Sequence, residues 1–413
     1  MDAADQPTRP DARPAASPAA RPLGGDRLTD RAIEILTTLI SFDTVSRNSN
    51  VPLIDWVEGY LAEHGIAAHR VLDEGGRKAN LVATVGPADV PGYVLSGHTD
   101  VVPVDGQPWS SDPFTARISE GRLYGRGACD MKGFLACVLA SLPAMQAAPL
   151  ARPLHLAFSH DEEVGCVGVR SLLREMADWQ PRPLGCFVGE PTEQAVVIGH
   201  KAKRTVRVTV RGTTAHSSLA PTAVNAITYA ARLITHIADR AAAFAREGAR
   251  DPLYDIPFST PHVGTMHGGE VVNIVPDHCE FLFEIRAIGA DDPDAIVTEI
   301  EAYAREALEP EMQAVAANAG IDFEVVTGIE GLDTPPEAEI VALAKRLAGR
   351  NAHSKVAYGT EAGFFTSMAG IPSVVVGPGS IAQAHRADEW VAISELTGCL
   401  GFLDALIAHC QKA

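Results

Sequence analysis

The stretch YVLSGHTD, residues 93–100, places a short apolar run directly before a histidine and an aspartate. Three later runs are also short and apolar and also end in polar residues, at 154–159, 186–188 and 373–376. A helical pattern of apolar residues, 134–142, lies between the first two runs. Buried strands that alternate with helices indicate an α/β/α architecture, a sheet covered by helices on both faces.

Other parts of the chain show different patterns. Residues 28–87 carry apolar residues at helical spacing, which predicts a mainly helical start. From about residue 203 the pattern changes, because residues 205–211 alternate apolar and polar side chains as a half-buried strand does. The elements that follow, down to residue 326, give the order β-α-β-β-α-β, which is typical of a ferredoxin-like unit.

These patterns predict the organisation of the chain. Its 413 residues are enough for two domains. Residues 26–202 and 331–413 are predicted to form one domain, into which residues 203–330 are inserted as a second. Residues 1–25 are rich in proline, alanine and arginine and lack the apolar core of a secretory signal, so they are predicted to be a disordered arm.

Composition restricts the partners and the compartment. The chain has 34 Lys+Arg against 52 Asp+Glu, a formal charge of -18, which argues against nucleic acid as a partner. Seven cysteines without a Cys-x-x-Cys pair favour a reducing compartment, and we expect the protein to be cytoplasmic. No stretch approaches the ~20 apolar residues of a membrane span, so no membrane association is expected.

Familiar catalytic motifs are missing from the chain. It contains no P-loop, no G-x-G-x-x-G, no H-E-x-x-H and no G-x-S-x-G. A nucleotide-dependent enzyme, a zincin and a serine hydrolase are therefore poor interpretations.

Side chains of the kind that bind metals instead follow the apolar runs. Each alone is more often a polar core or surface residue, but five such residues at successive strand ends favour one site, because strand ends line the crevice of an α/β sheet. Imidazole and carboxylate suit two zinc ions, whose charge three carboxylates and one hydroxide would balance. The five are His98, Asp130, Glu163, Glu190 and His385.

Two further acids, Glu162 and Asp100, are expected to assist the metal ligands. Successive side chains of an extended segment point in opposite directions, so if Glu163 binds metal, Glu162 can face the attacking water as general base. Asp100, two residues after His98, is predicted to hold the imidazole ring.

Several motifs together resemble the dinuclear-zinc aminoacylase/carboxypeptidase family, and within it the acetylornithine deacetylase branch. They are GHTDVVP at 97–103, DPF at 112–114, YGRG at 124–127, DMKG at 130–133 and GPGSIAQAH at 377–385. The resemblance runs from about Leu36 to the C-terminus. It implies a zinc-aminopeptidase-like catalytic domain with an inserted lid that also forms a homodimer.

The resemblance also assigns residues. It implies one zinc on His98, Asp130 and Glu190, and a second on Asp130, Glu163 and His385, with Asp130 bridging. Cobalt is expected to substitute for zinc, because these ligand types discriminate the two ions poorly. A cis peptide is implied between Asp130 and Met131.

Other residues are implied to bind substrate. His216 resembles the group that polarises the scissile carbonyl, and Asn273 and Arg286 resemble residues that bind the substrate carboxylate. Gly379 is placed with them. Glu361 is predicted, from charge alone, to face a substrate ammonium group.

The expected reaction is hydrolysis of a small N-acyl-L-amino acid, foremost N2-acetyl-L-ornithine to L-ornithine and acetate in arginine biosynthesis. One alternative is a related deacylase or dipeptidase, such as a succinyl-diaminopimelate desuccinylase. A remote alternative is a non-catalytic binding homologue, which would be expected to have lost a ligand or the base.

Overall fold

The computed structural model describes residues 27–412, so the predicted N-terminal arm lies outside the described residues. Within that range the α-helices, α1 to α11 in chain order, are Arg27–Ile40, Val51–Glu63, Lys132–Ala140, Leu142–Ala147, Val169–Met176, Ala226–Glu247, Pro293–Tyr303, Glu309–Val315, Glu339–Leu347, Ala362–Ala369 and Ile393–Cys410. A 3-10 helix covers Ser217–Thr222, and a π-helical turn, Ala304–Leu308, connects α7 to α8.

The strands described, β1 to β16, are Ala68–Leu72, Ala79–Val85, Tyr93–His98, Arg117–Ser119, Arg122–Tyr124, Leu154–Ser159, Gly185–Val188, Val197–His200, Ala202–Arg211, Thr260–Gly268, His278–Ala287, Gly320–Ile329, Leu332–Asp333, Ser354–Val356, Ser373–Val375 and Trp390–Ala392. They form three sheets.

The largest sheet has the order β1-β2-β6-β3-β7-β15-β8-β13, with β14 paired to β8. Its centre is parallel, since β3 pairs in parallel with β6 and β7, and β7 with β15. Every residue of β3, β6 and β7 is buried, as expected for strands covered on both faces. Helices α1, α2, α3, α9 and α11 share one core cluster, and α5 and α10 share another. The predicted α/β layers are thus present.

The second sheet is antiparallel and has the order β10-β11-β9-β12. Strand β9 alternates buried and half-exposed residues, because α6 and α7 cover one face of the sheet and share its core. The chain order and the strand order together are those of a ferredoxin-like unit. Only Lys201 separates β8 of the large sheet from β9 of this one. The exact domain boundaries remain predictions.

The third sheet, β16-β5-β4, is small but lies beside the site. Strand β5 leads into the loop that carries Asp130, and β16 follows the loop that carries His385. The two strands pair directly, Trp390 opposite Tyr124. The pairing therefore brings two distant loops together.

The prediction of a mainly helical start up to residue 87 is wrong in its second half, because β1 and β2 lie there. Strand β2 is buried at six of its seven positions, so its apolar run carries no period that separates strand from helix. Strand β1 is an edge strand in which only Val71 is buried, so its apolar residues show no clear alternation.

Helix α11 is, by length and composition alone, the one helix within residues 27–412 that could cross a membrane. Its buried face includes Leu396, Leu403 and Ile407, which belong to the core cluster shared with α1 and α3. The packing is that of a core helix.

Candidate metal centre

The candidate site lies at the carboxyl edge of the parallel strands. His98 is the last residue of β3, Glu163 follows β6, and Glu190 comes two residues after β7. Because β6, β3 and β7 are neighbours in the sheet, their ends meet. Asp130 stands before α3, and His385 lies in the loop between β15 and β16. All five predicted ligand residues are brought together.

Within this cluster the side chains form two groups of three, each with ligand atoms within 4.8 Å of one another. In the first group, His98 Nε2 lies 3.1 Å from Asp130 Oδ1 and 3.7 Å from Glu190 Oε1. In the second, His385 Nε2 lies 3.2 Å from Asp130 Oδ2 and 3.1 Å from Glu163 Oε2. Asp130 is shared, and each of its oxygens faces a different group.

The cluster carries an excess of buried negative charge. Burial, and then the nearby Asp130 carboxylate, raise the pKa of Glu190 well above its usual value. Hydrogen bonds with Asp130 and Glu163 raise the pKa of His385 to about 10. Burial alone would raise the pKa of Asp130 as well, but hydrogen bonds with both histidines hold it below the usual range. The site therefore favours added positive charge.

One buried atom supports the fit to metal ions directly. Glu163 Oε1 is buried without a hydrogen-bond partner, although such atoms are normally paired. Imidazole nitrogens and carboxylate oxygens are a normal donor set for zinc. His98, Asp130 and Glu190 could hold one cation, and Asp130, Glu163 and His385 a second. The His385 side chain is 51% exposed, so the second position opens to solvent.

Asp100 contacts the His98 ring through its backbone, and its predicted role in holding the ring stays a prediction. His98 Nδ1 donates to the Asp100 backbone carbonyl at 2.9 Å, whereas the Asp100 carboxylate is 3.6 Å away, too far for a hydrogen bond. A carbonyl can only accept, so Nδ1 carries a proton, and in the neutral imidazole the Nε2 lone pair would be free to bind a cation. The carboxylate instead accepts from the backbone N–H groups of Glu162 and Glu163, at 3.1 and 3.3 Å. Asp100 thus holds the loop that carries the proposed base.

Glu162 lies at the same cluster. Burial raises its pKa to about 8, and the neighbouring carboxylates of Glu163 and Asp130 act in the same direction, against His98. A carboxylate with a pKa near neutral is suited to accept and release a proton. The Cys166 thiol donates to Glu162 Oε1 at 3.4 Å.

The prediction that Glu361 faces the substrate is wrong. Its side chain is fully buried, and its two oxygens accept hydrogen bonds from Ser96 Oγ and Ser159 Oγ, both at 2.6 Å. These serines lie on β3 and β6, so Glu361 connects the two strands beneath the site. Charge complementarity alone could not reveal this, because the direction of a side chain depends on the fold.

The other residues implied for substrate lie in two places. Gly379 has a φ of +84°, and a Cβ there would lie 2.6 Å from Cys129 Sγ, so this position favours glycine next to the Asp130 loop. His216 and Asn273 lie together on the ferredoxin-like unit, where both are exposed and a bridge pairs His216 with Ile274. Arg286 lies near the other end of β11 and pairs with Glu284 at 2.6 Å. Their roles remain predictions.

Sequence reasoning missed several residues around the cluster. Glu389 and Arg126 are each 1% exposed and form an ion pair of 2.7 Å beside Asp130. Burial, and then the carboxylates of Glu190 and Asp130, raise the pKa of the Tyr358 hydroxyl. Two signals were available, the position of Glu389 four residues after His385 and that of Arg126 within the YGRG motif at 124–127.

Comparison with known proteins identifies the family. The model of peptidase family M20/M25/M40 matches residues 94–409. The chain belongs to this family. It is 35% identical over 381 residues to the acetylornithine deacetylase of Myxococcus xanthus, covering 91% of this chain and 96% of the relative. It is 33% identical over 384 residues to that of Photorhabdus laumondii, with coverages of 91% and 96%.

Solved structures show that this M20 chain has the family fold. An aminopeptidase of Bacillus cereus matches with a TM-score of 0.73 and 22% identity, covering 93% of this chain and 99% of that one. An M20 metallo-carboxypeptidase of Sulfolobus solfataricus matches at 0.70 and 18%, with coverages of 94% and 100%. A dinuclear metal-binding M20 peptidase of Bacillus subtilis matches at 0.64 and 15%, with coverages of 92% and 98%.

Two predictions are therefore confirmed, the family and the α/β fold with a smaller inserted unit. The M20 chain is a metal-dependent amide hydrolase.

Proposed function

We propose that this M20 hydrolase removes the acetyl group from N2-acetyl-L-ornithine, giving L-ornithine and acetate as a step of arginine biosynthesis. The observation that carries the proposal is the pair of ligand groups that share Asp130, with Glu162 beside them. Relatives at 33–35% identity that are named acetylornithine deacetylase support the choice of substrate. We further propose that the metal ions are two zinc ions, which cobalt can replace.

The chain's own residues account for the proton transfers. Two bound zinc ions would polarise the scissile carbonyl and acidify the attacking water. The Glu162 carboxylate accepts a proton from that water as its oxygen bonds to the carbonyl carbon. Glu162 then gives this proton to the departing nitrogen as the C–N bond breaks, and the acid proton of the acetic acid so formed passes to the amine, which leaves ornithine and acetate. Asp100 fixes the Glu162 backbone throughout, so the carboxylate stays within reach of both groups.

Substrate recognition is proposed for the ferredoxin-like unit, which acts as a lid. His216 would donate to the carbonyl oxygen as negative charge develops there. Arg286 suits the substrate α-carboxylate, because its guanidinium offers paired donors and uses only Nε for Glu284. Asn273 would add a further hydrogen bond.

The arrangement of these residues supports a homodimer. The His216 and Asn273 loops extend from the end of the lid sheet at which His278 pairs with Arg211. Arg286 lies at the opposite end, next to the large sheet. Eight residue steps of extended strand from His278 to Arg286 span roughly 27 Å. We therefore propose that His216 and Asn273 of one subunit complete the metal centre of its partner.

The lid carries apolar surface that supports this association. Val272 is 100% exposed and Val271 53%, beside a cavity of about 410 Å³ that Ser217 and Ile274 help to line. Exposed apolar residues in one patch are typical of association surfaces. The seven cysteines are free and buried, which supports the proposed cytoplasmic location.

The substrate proposal is tested with a panel of purified amides and the zinc-loaded protein. We expect the highest kcat/KM for N-acetyl-L-ornithine, ahead of N-acetylated neutral amino acids and of N-succinyl-L,L-diaminopimelate. A preference for the succinyl compound would replace the proposal with the desuccinylase alternative.

Glu162→Gln tests the base within the same assay. We expect a loss of ~10²–10⁴-fold in kcat, because a lost acid–base group typically costs this much. Metal content should stay at that of the wild type. Glu175→Gln is the matched control, since Glu175 pairs with His69 at the surface, away from the site. Full activity in Glu162→Gln would remove Glu162 from the mechanism.

A further inference from the structure

A buried carboxylate holds the loop that carries the shared ligand Asp130. Glu389 Oε1 accepts hydrogen bonds from the backbone N–H groups of Cys129 and Asp130, at 2.9 and 3.0 Å. Glu389 Oε2 accepts from the N–H of Gly127 at 3.0 Å and from Arg126 at 2.7 Å. Four donors from one loop thus converge on a single carboxylate, which fixes the backbone from which Asp130 projects.

The same network reaches the second ligand loop through Gln107. Arg126 Nη2 donates to Gln107 Oε1 at 2.5 Å, and Trp109 Nε1 donates to the same oxygen at 3.0 Å. The other end of the amide, Gln107 Nε2, donates to the backbone carbonyl of His385 at 3.2 Å. Gln107 therefore connects Arg126 to the backbone of His385.

His385 needs such a contact for a conformational reason. Its φ is +61°, in the left-handed region that costs a side-chain-bearing residue free energy unless its surroundings hold it there. Its side chain is also half exposed, so little packing fixes the ring. The backbone hydrogen bond from Gln107 helps to keep Nε2 aimed at Asp130 and Glu163.

We propose that Glu389, Arg126 and Gln107 are positioning residues that set the affinity of the second cation position, formed by Asp130, Glu163 and His385. Gln107 acts on this position alone, because it contacts the His385 backbone and not the residues of the first group. Glu389 acts on both positions through the shared Asp130. The proposal rests on the two-metal function above. It adds that residues that bind no metal affect the metal affinities of the two positions unequally.

The test is a titration of metal-depleted full-length protein with Co²⁺, followed by visible absorption and by competition with a chelator. For Gln107→Ala we expect the first equivalent to bind as in the wild type and the second to bind ~10–100-fold more weakly, the usual effect of losing an outer partner of a ligand. For Glu389→Gln we expect both equivalents to weaken. In either orientation of the amide introduced at position 389, its NH₂ group would face N–H donors, which cannot accept a hydrogen bond from it.

Asp388→Asn is the matched control. Asp388 lies in the same loop and accepts from the backbone and side chain of Ser110, but it contacts neither Arg126 nor a ligand residue. We expect it to bind both equivalents normally. Circular-dichroism melting of each metal-free variant separates lost affinity from lost folding, and Gln107→Ala, at a half-exposed position, should melt as the wild type does.

The possible outcomes separate the two proposals. Wild type that binds fewer than two equivalents would refute the two-metal function. Wild type that binds two, with Gln107→Ala unchanged or weakened equally at both positions, would overturn the positioning proposal alone. Equal losses in Gln107→Ala and Asp388→Asn would also overturn it, since they would reflect general loosening of the loop.

Discussion

If His216 acts on the partner's metal centre, two inactive variants should restore activity in a mixed dimer. Glu162→Gln removes the base and His216→Ala removes the carbonyl-polarising group, each on a different part of the chain. A mixed dimer would contain one metal centre with an intact Glu162 facing an intact His216 of the partner subunit. Its other centre would lack both groups.

The expected magnitude follows from counting sites. Random pairing makes half of all dimers mixed, and each has one working centre of two, so the mixture should reach about one quarter of wild-type activity in a C2 dimer. If both groups acted within one chain, every centre would lack one of them and no activity would return. The span of roughly 27 Å along β11, at about 3.4 Å per residue, favours the first outcome.

The assay is co-expression of the two variants with different affinity tags, purification through both tags, and deacetylation of N-acetyl-L-ornithine. Doubly tagged dimers should show about half of the wild-type turnover per dimer, since one centre in two is complete. Each single variant, purified alone, sets the background. Activity of the mixed dimers at that background would refute the arrangement between subunits.

Three other outcomes are expected. Exhaustive chelation should abolish activity and lower the melting temperature, because the buried carboxylates lose their counter-charges. Added Zn²⁺ or Co²⁺ should restore both properties. Normal activity after chelation would exclude a metal mechanism. Burial lowers the pKa of His155 to about 4 in the folded protein, whereas the value in the unfolded chain is ~6.5. Acidification to pH 5 therefore protonates His155 in the unfolded chain but not in the folded protein, and the free energy of unfolding should fall by about 2 kcal/mol. Urea unfolding at pH 7 and pH 5 compares His155→Asn with the wild type. The variant should lose about 2 kcal/mol less of its unfolding free energy on acidification, and equal losses would contradict the role given to His155. Glu361→Gln should unfold with a free energy within about 1 kcal/mol of the wild type, because the hydroxyls of Ser96 and Ser159 can turn to accept from the amide. A loss above ~3 kcal/mol would contradict this reasoning.

Element types were predictable where the local pattern was strong. Strand β6 has the predicted bounds, and β3, β7 and β15 differ from theirs by one or two residues. The strand and helix order of the lid was also predictable, because alternation in β9 and helical spacing in α6 are local properties. Strand β2 was missed because a short apolar run reads the same in either conformation, and β1 because only one of its five residues is buried.

The site was predictable as a set of residues but less so as an arrangement. His98 and Glu163 are 65 positions apart, and only the parallel pairing of β3 with β6 makes them neighbours. The opposite directions of Glu162 and Glu163 stay a prediction, because Glu162 begins a hydrogen-bonded turn and not an extended segment, but their closeness to one another could be anticipated from the chain. The contacts of Asp100 could not, since its carboxylate accepts from residues that approach only after the strands align.

The sequence by itself determined the family, the α/β fold with its inserted unit, and the residue types available to bind cations, because spacing and motif order are properties of the chain. Tertiary structure decided that Asp130 faces both ligand groups, that Glu361 lies beneath the site and that Glu389 holds the Asp130 loop. The physical reason is that burial and hydrogen bonding depend on which distant segments pack together, and a local pattern does not contain that information.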